Sequence, residues 1–363
     1  MQQAKHRTLI LAAALGLTLG AQTSWSQAPE PKTAEQVYKN ITELKGTPAD
    51  QLVPGMQFIA TSLGVECNFC HVQGKMEADD KPEKKSARKM MVMMAAINKD
   101  GFGGQRQVTC YSCHHGSAHP ASVPPVLESD APARPENRPT ATASSAPTPD
   151  EIINKYVAAL GGSEAMRKVT SRVMKGSILV GSNETPIDVI TKAPNKRISI
   201  SHMGSGESIT AFDGTNGWLG STGRPARSMS ASESWASGLD AEFYLALRIK
   251  EIFPQVRAGR PETIGGVDCN QLLGVKQGTP PVRLYFDKNT GLLMRMVRYA
   301  ETPVGRMPTQ IDYSDYRDAG GARIPYRWTL SRPNGRFTIQ IAEVKTNQAV
   351  DDEKFAKPAD EVK

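Results

Sequence analysis

Two copies of one short pattern, Cys-x-x-Cys-His, constrain this chain more than any other feature of its sequence. They occupy residues 67–71 (CNFCH) and 110–114 (CYSCH), and they use four of the five cysteines and two of the six histidines. Two thiols at this spacing can form thioethers with the two vinyl groups of one haem, and the histidine that follows can then ligate the iron. The repeated pattern therefore predicts two covalently attached c-type haems per chain.

The haem interpretation assigns a role to each residue of the two motifs. The predicted attachment points are Cys67, Cys70, Cys110 and Cys113, and the predicted iron ligands are His71 and His114. Structural zinc or disulfides are the alternatives for such cysteines. Neither alternative needs a histidine directly after each cysteine pair, so we favour haem.

The N-terminus has the organisation of a signal peptide. A short basic stretch (5–7) precedes an apolar run (9–19), and small residues lead to a cleavage signature that ends at Ala28. The apolar run is shorter than the about 20 residues that span a bilayer, and no later segment is long and apolar enough to do so. We expect residues 1–28 to be removed and the mature protein to be exported to the periplasm, without a transmembrane segment.

The charge of the chain is mildly basic and spread out. The formal net charge is +7, and two of the positive charges lie in the predicted signal peptide. This balance predicts some preference for anionic partners or surfaces and excludes nucleic-acid binding as the main function.

A Pro-rich stretch divides the rest of the chain. Residues 121–149 are rich in Pro, Ala, Ser and Thr and contain few large apolar side chains. Such a segment cannot bury a core and is typical of an extended linker. A surface loop of one domain is the alternative, which its length disfavours. We therefore predict a domain at 29–120, a linker at 121–149 and a second domain at 150–363.

The two predicted domains differ in hydrophobic periodicity. Upstream, a capping box at Thr33 begins one helix, a second helix runs from Pro54 to Gly64, and a third covers about 86–98. This predicts an all-α domain. Downstream, Asp150 is expected to cap a helix, another helix covers about 241–252, and alternation at period two dominates the remainder. The second domain is predicted as α+β, an antiparallel sheet with helices against one face.

The ligand on the other side of each iron decides what the haems can do. A methionine raises the reduction potential and blocks substrate binding, a second histidine lowers the potential, and an open site suggests catalysis. Methionines precede both motifs in the sequence: Met56 before the first, and Met90, Met91, Met93 and Met94 before the second. Alternatives are His115, His119 and His202. Ordinary core packing would also explain the methionines.

The first domain resembles a known family. The block from Gly55-Met56 to Cys70-His71 and the run 87–114 resemble the haem segments of the photosynthetic reaction-centre cytochrome c subunit family, over about residues 33–120. In that family, a methionine on the preceding helix ligates the iron of three of four haems. The resemblance implies Met56 as the partner of His71, and Met90 as the partner of His114 with Met93 as its alternative. This chain has two motifs instead of four, and a different domain follows them.

The second domain resembles the superfamily of the outer-membrane lipoprotein-sorting carrier, the LolA-like fold. The likeness lies in residues 286–293 (FDKNTGLL), 313–318 (YSDYRD) and 355–358 (FAKP). It implies an unclosed β-barrel covered by helices, with a hydrophobic concavity that holds a lipid or an acyl chain. The implied lining residues are Phe243, Phe286, Tyr326 and Trp328, which can equally form the core of the domain.

These expectations define an exported dihaem c-type cytochrome that transfers electrons between redox proteins. Its C-terminal domain would dock it to a lipid, a membrane or a protein. The alternatives are a peroxidase-like dihaem enzyme, and a lipid or lipoprotein carrier with a haem redox sensor. We find no nucleophile–base pair, phosphate loop or metal cluster in the second domain, so we assign no catalytic residue and favour an electron carrier over an enzyme.

The Pro-rich segment leads to a first prediction. Since residues 121–149 lack the apolar side chains that would offset the entropy of ordering them, limited proteolysis should cut there first. We expect a red haem fragment that keeps its absorption spectrum and a colourless β-rich fragment that stays folded. Initial cleavage elsewhere, or collapse of either fragment, would contradict the division into two separable domains.

Overall fold

The computed structural model describes residues 32–120, 147–333 and 335–358. The predicted signal peptide and most of the predicted linker lie outside the described residues. Among the described residues, no helix is both long and apolar enough to cross a membrane.

The region before the linker is built from helices of very different lengths. They are α1 (Ala34–Val37), α2 (Ala49–Leu63), α3 (Cys67–Cys70), α4 (Pro82–Phe102) and α5 (Cys110–His114). The short helices α3 and α5 are the two Cys-x-x-Cys segments, and each follows one of the two long helices. Each motif is therefore preceded by a long helix and a turn.

Several predicted helix bounds in this region were wrong. The helix that Thr33 caps ends at Val37, after one turn. The side chain of Val37 is 50% exposed and does not lie on a buried face. Helix α2 begins at Ala49, so Pro54 lies inside it, and α4 is longer at both ends than 86–98. The predicted end of α2 is confirmed: Gly64 follows it with φ +67°, a conformation that glycine adopts at little cost.

Among the described residues after the predicted linker, four α-helices accompany a large antiparallel sheet. The helices are α6 (Pro149–Ala159), α7 (Gly162–Lys168), α8 (Ala231–Ala241) and α9 (Leu245–Ile252). The helix predicted at about 241–252 corresponds to α9, which begins at Leu245, whereas α8 before it was not predicted. The predicted cap at Asp150 was also wrong: the Oγ1 of Thr148 accepts from the N–H of Glu151 at 3.3 Å, and the Glu151 carboxylate accepts from the N–H of Thr148 at 2.7 Å.

The strands confirm the predicted alternation. They are β1 (Ser171–Val180), β2 (Asn183–Lys192), β3 (Lys196–Met203), β4 (Gly206–Phe212), β5 (Gly217–Ser221), β6 (Arg224–Ser228), β7 (Gln255–Ala258), β8 (Glu262–Ile264), β9 (Val267–Val275), β10 (Val282–Asp287), β11 (Leu293–Thr302), β12 (Gly305–Ala319), β13 (Ala322–Arg332) and β14 (Gly335–Thr346). A 3₁₀ turn follows at Asp352–Phe355.

All strands belong to one sheet, in the order β6-β5-β4-β3-β2-β1-β14-β13-β12-β11-β10-β9-β7, with β8 paired to β9. The pairings are antiparallel. Among the described residues, no pairing joins β6 to β7, so the sheet does not close into a barrel. This agrees with the predicted unclosed antiparallel fold.

Helices cover one face of the sheet and form the main core with it. Ile152 and Tyr156 of α6 and Ile249 of α9 are buried in the same cluster as Leu284 of β10 and Ile341 of β14. The apolar side chains recur at period two on the strands and at helical spacing on α6, so each element buries one face. The predicted covering helices are therefore present.

The helical region contacts the sheet at the hairpin between β11 and β12. Val304, at the tip of this hairpin, is buried in one cluster with Phe58 and Ile59 of α2. The Arg106 guanidinium also donates to the carbonyl oxygen of Thr302 at 2.6 Å. The hairpin tip therefore contributes to the core of the helical region.

Gly305 provides a test of this contact. A Cβ atom at this position would lie 2.1 Å from the ring of the buried Phe58. We expect Gly305→Ala to lower the free energy of unfolding by about 1–3 kcal/mol, because close-packed interiors tolerate overpacking poorly. Urea denaturation followed by circular dichroism measures this. Gly204→Ala is the control, since its Cβ would meet nothing within 4 Å. Equal stability of the two variants would show that the contact is not formed.

Candidate haem-binding site

The first motif is one helical turn that begins shortly after α2 ends. Cys67 and Cys70 are three residues apart in α3 and therefore lie on one side of the turn. Cys67 is exposed and Cys70 is half-buried. In the second motif, Cys110 is half-buried and Cys113 is exposed. Both pairs are thus accessible on one side of a turn, as attachment to one edge of a haem requires.

The histidine of each motif is held through one ring nitrogen. The Nδ1 of His71 lies 2.7 Å from the carbonyl oxygen of Met76, and the Nδ1 of His114 lies 2.9 Å from that of Ser117. A carbonyl oxygen only accepts, so Nδ1 must carry the hydrogen in each ring and Nε2 keeps its lone pair. Bonding of one ring nitrogen to a carbonyl is the usual way in which a metal-ligating histidine is oriented. Both histidines therefore fit the role of iron ligand.

The two motifs are tied to each other through the end of α2. The N–H of Gly116, just after the second motif, donates to the carbonyl oxygen of Ser62 at 2.9 Å. A Cβ on Gly64 would lie 2.1 Å from the carbonyl oxygen of Gly116. Glycine at position 64 thus permits both the left-handed turn into the first motif and the close approach of the second. The helix that precedes the first motif also supports the second.

Asn98 positions the chain just before the second motif. Its buried side chain accepts from the N–H of Gln107 at 3.0 Å and that of Val108 at 2.9 Å, and it donates to the carbonyl oxygen of Val108 at 2.8 Å. These bonds connect α4 to the two residues before Thr109 and Cys110. The sequence showed Asn98 as part of the family resemblance but did not reveal this role, because its partners are backbone groups.

Many large apolar side chains are exposed in the region that contains the two motifs. Of the twelve large hydrophobic side chains that are exposed among the described residues, ten lie before residue 121. They include Met76, five residues after His71, and Met90 and Met93 on one face of α4. Isolated exposed apolar residues are ordinary, but a concentration in one small region indicates a site for an apolar partner. A haem beside each motif would cover such a surface, so these residues fit the group.

The methionines fall into different environments. Met56 is half-buried on α2 and packs against the cluster of Phe58, Ile59 and Val304. Met91 and Cys110 pack against this cluster as well. Met90 and Met93 are 45% and 46% exposed, three residues apart on α4. Ligation by Met56 and Met90 remains a prediction.

Three basic residues of the helical region, Lys84, Arg88 and Arg106, have partners within the protein. Lys84 is buried and donates to the carbonyl oxygens of residues 76, 77 and 78, and Arg88 pairs with Asp79 at 2.9 Å. These contacts fix the loop whose Met76 carbonyl holds His71. Hydrogen bonds from Asn40 and Arg88 lower the pKa of the Asp79 carboxyl. Arg106 contacts the β11–β12 hairpin, as described above.

All five cysteines lie in the described residues and are unpaired. Within these residues, no group of three or more His, Cys, Asp and Glu side chains is arranged to hold a metal ion. The Nε2 of His202 lies 3.0 Å from a carboxylate oxygen of Asp188, and its Nδ1 lies 3.1 Å from a carboxylate oxygen of Glu207. Both carboxylates are on neighbouring strands. Burial raises the pKa of the Cys110 thiol and of the Cys70 thiol.

Two Cys-x-x-Cys turns, each followed by a histidine of fixed orientation, are typical of a c-type cytochrome site. Comparison with known sequences agrees with this class. The model of the photosynthetic reaction centre cytochrome C subunit family matches residues 1–195, and the chain belongs to this family. The photosynthetic reaction center cytochrome c subunit of Thermochromatium tepidum is 34% identical over 94 residues. That match covers 25% of this chain and 23% of the relative. Membership in the family implies haem c binding.

The region after the linker is similar to solved structures of another kind. A DUF1329 family protein from Desulfovibrio piger has a TM-score of 0.41 at 13% identity, covering 57% of this chain and 96% of that chain. A LolA superfamily protein from Nitrosomonas europaea has a TM-score of 0.41 at 14% identity, covering 58% and 99%. The unclosed antiparallel sheet resembles LolA-like folds, and the likeness carries no argument about a ligand.

Asn98 leads to a prediction about the second motif. Asn98→Ala removes three hydrogen bonds from a buried site and leaves backbone groups without partners, so we expect a loss of about 1–3 kcal/mol in the free energy of unfolding. The mass spectrum of the purified protein should also show more chains that lack one haem. Lys99→Ala is the control, because Lys99 is an exposed neighbour on α4. Equal stability and equal haem content in both variants would contradict the positioning role.

Proposed function

We propose that this chain is an exported, periplasmic dihaem c-type cytochrome that transfers electrons between a donor and an acceptor protein. The observation that carries the proposal is the pair of histidines whose Nδ1 atoms are bonded to backbone carbonyl oxygens, each directly after an accessible cysteine pair. Family membership supports haem c as the cofactor. The number of haems follows from the two motifs.

Each haem, when bound, supplies one-electron oxidation and reduction. The residues of the chain provide its attachment and its surroundings. Cys67 and Cys70, or Cys110 and Cys113, would hold the haem covalently, and the Nε2 of the histidine that follows would ligate the iron. The loop carbonyls at Met76 and Ser117 keep the imidazoles oriented.

On the other side of each iron, we propose methionine sulfur. Met56 on α2 is assigned to the haem of His71, and Met90 on α4 to the haem of His114, with Met93 as the alternative to Met90. A thioether ligand closes the iron to substrates and raises its potential, as an electron carrier requires. The proposed assignments are supported by the family resemblance and by the location of both methionines on the long helices that precede the motifs.

The C-terminal region is proposed to dock the cytochrome to a lipid, a membrane or a protein. A cavity of about 370 Å³ lies between the sheet and its covering helices. Trp328 and Phe243 line this cavity, as expected, whereas Phe286 and Tyr326 do not. Phe286 packs on Tyr156 with ring centroids 5.1 Å apart, and both Phe286 and Tyr326 are buried in the main core. The cavity also favours a second candidate, a lipid carrier with a haem redox sensor.

A spectroscopic redox titration of the mature protein tests the electron-transfer proposal. We expect two reversible one-electron transitions and a charge-transfer band of methionine-ligated ferric iron. Met56→Ala and Met90→Ala should each reduce this band and lower one of the two potentials, since each removes one thioether ligand. Met203→Ala, an exposed methionine on β3, is the control and should change neither potential.

Two outcomes would contradict the assignment. If Met93→Ala lowers a potential and Met90→Ala does not, the ligand in α4 is Met93. If neither potential depends on any methionine, the irons have other ligands, and rapid turnover of hydrogen peroxide by the unmodified protein would then favour the peroxidase-like alternative.

A further inference from the structure

The cavity in the C-terminal region combines an apolar wall with a row of cationic and hydroxyl side chains. Its volume of about 370 Å³ falls in the range of about 300–1,000 Å³ that is typical of small-molecule sites. The apolar wall includes Leu160, Met174, Ile187, Leu239 and Ile311. The cavity reaches the surface near the lining residues Arg323 and Arg332, which are both exposed.

The polar row crosses three neighbouring strands. Arg172 of β1 lies directly opposite Thr191 of β2, and Thr191 lies directly opposite Arg197 of β3. Residues opposite each other in an antiparallel sheet share one face, with Cβ atoms about 4.5–5.5 Å apart. All three residues line the cavity. The two arginines thus flank the threonine on the wall of the cavity.

Two atoms of this row are donors without an acceptor. The Nε of Arg172 and the Oγ1 of Thr191 are buried and have no hydrogen-bond partner among the described residues. Four side-chain atoms of the described residues share this property, and two of them are in this one cross-strand pair. A buried polar atom that remains unpaired costs about 1–3 kcal/mol. Since a guanidinium only donates, the ligand that would satisfy this pair must be an acceptor.

Aromatic rings hold the two arginines in place. The guanidinium carbon of Arg172 lies 4.0 Å from the centre of the Phe243 ring, and that of Arg197 lies 5.6 Å from the centre of the Trp328 ring. Arg197 also donates to the backbone carbonyl of Asp240 at 3.5 Å. Stacking on a ring orients a guanidinium without using its hydrogen-bonding edge.

The nearby carboxylates are already paired elsewhere. Asp240 binds the guanidinium of Arg298 at 3.1 and 2.5 Å, and Glu242 binds Arg248 at 2.8 Å. Within the described part of the chain, no carboxylate lies within 4.0 Å of the Arg172 or Arg197 guanidinium. Burial lowers the pKa of Arg172 to about 10, so this group stays charged at neutral pH. Asp240 attracts the Arg197 guanidinium without forming an ion pair with it, whereas Arg172 has no carboxylate partner among the described residues, so the wall keeps a positive charge that is not fully neutralised.

We propose that this cavity binds an amphiphile with an anionic head group, either a carboxylate or a phosphate. The head group accepts from Arg172, Thr191 and Arg197, and the alkyl chain packs against the apolar wall. This inference rests on the proposed docking function and specifies the class of its ligand. The ligand is a lipid with one anionic head group, not a neutral lipid. A guanidinium pair favours this chemistry because its N–H groups match carboxylate and phosphate oxygens.

Calorimetric titration of the mature haem-containing protein tests the proposal with four probes: decanoate, decyl phosphate, decanol and inorganic phosphate. Decanoate and decyl phosphate should bind. Decanol should bind at least about tenfold more weakly, because it cannot form the charged hydrogen bonds. Inorganic phosphate alone should not bind measurably, since it lacks the alkyl chain. This comparison distinguishes a lipid head group from a free anion as the source of the charge.

Variants of the row locate the head group. Arg172→Gln and Arg197→Gln should each weaken decanoate binding by about 10- to 100-fold and leave decanol binding unchanged. Thr191→Val keeps the shape of the strand and should weaken decanoate binding to a smaller extent. Arg327→Gln is the matched control: it lies on β13 beside Trp328 but outside the cavity, where it donates to Gln340. Circular dichroism shows whether each variant is folded.

Three results would overturn the proposal. These are equal affinity for decanoate and decanol, inorganic phosphate that binds as tightly as decyl phosphate, and no binding of either anionic amphiphile to the folded protein. Haem absorbance and redox potentials are measured by spectroscopy, separately from the heat that reports binding of the amphiphiles. A failure of the electron-transfer proposal would therefore appear in those signals and not in the lipid titration.

Discussion

The close approach of Gly64 to Gly116 is the contact on which the candidate haem site depends. The hydrogen bond from the Gly116 N–H to the Ser62 carbonyl joins the end of α2 to the loop after the second motif. Any side chain at position 64 would collide with the Gly116 carbonyl oxygen. This one crossing places both attachment turns on a common support. It brings the two motifs together, although 38 residues separate the histidine of the first from the first cysteine of the second.

The β11–β12 hairpin connects this unit to the sheet. Its tip, Val304, completes the core of the helical region, while Arg298 farther along β11 pairs with Asp240 beside the cavity. A single strand thus runs from the proposed lipid site to the proposed haem site. If the sheet region docks on a lipid as proposed, this contact would also fix the location of the proposed haem site.

The sequence predicted the elements that depend on local patterns. The motif histidines, the end of α2 at Gly64 and the alternating strands all follow from spacing or from the preference of glycine for a positive φ. The roles of Asn98, Lys84 and Arg106 could not be predicted, because their partners are backbone carbonyls or amides from other parts of the chain. The row of Arg172, Thr191 and Arg197 was missed for a related reason: it exists only through the register of three strands. Phe286 and Tyr326 were assigned to the cavity because aromatic residues in strands fit a cavity wall and a core equally well.

The central claim is that both Cys-x-x-Cys-His turns carry covalent haem. The most direct measurement is the mass of the intact mature protein, made in cells with a working haem-attachment system, together with its haemochrome spectrum. We expect the mass of the mature polypeptide plus two haems, and a spectrum typical of haem held by two thioethers. A mass equal to that of the unmodified polypeptide, or to the polypeptide with a single haem, would contradict it.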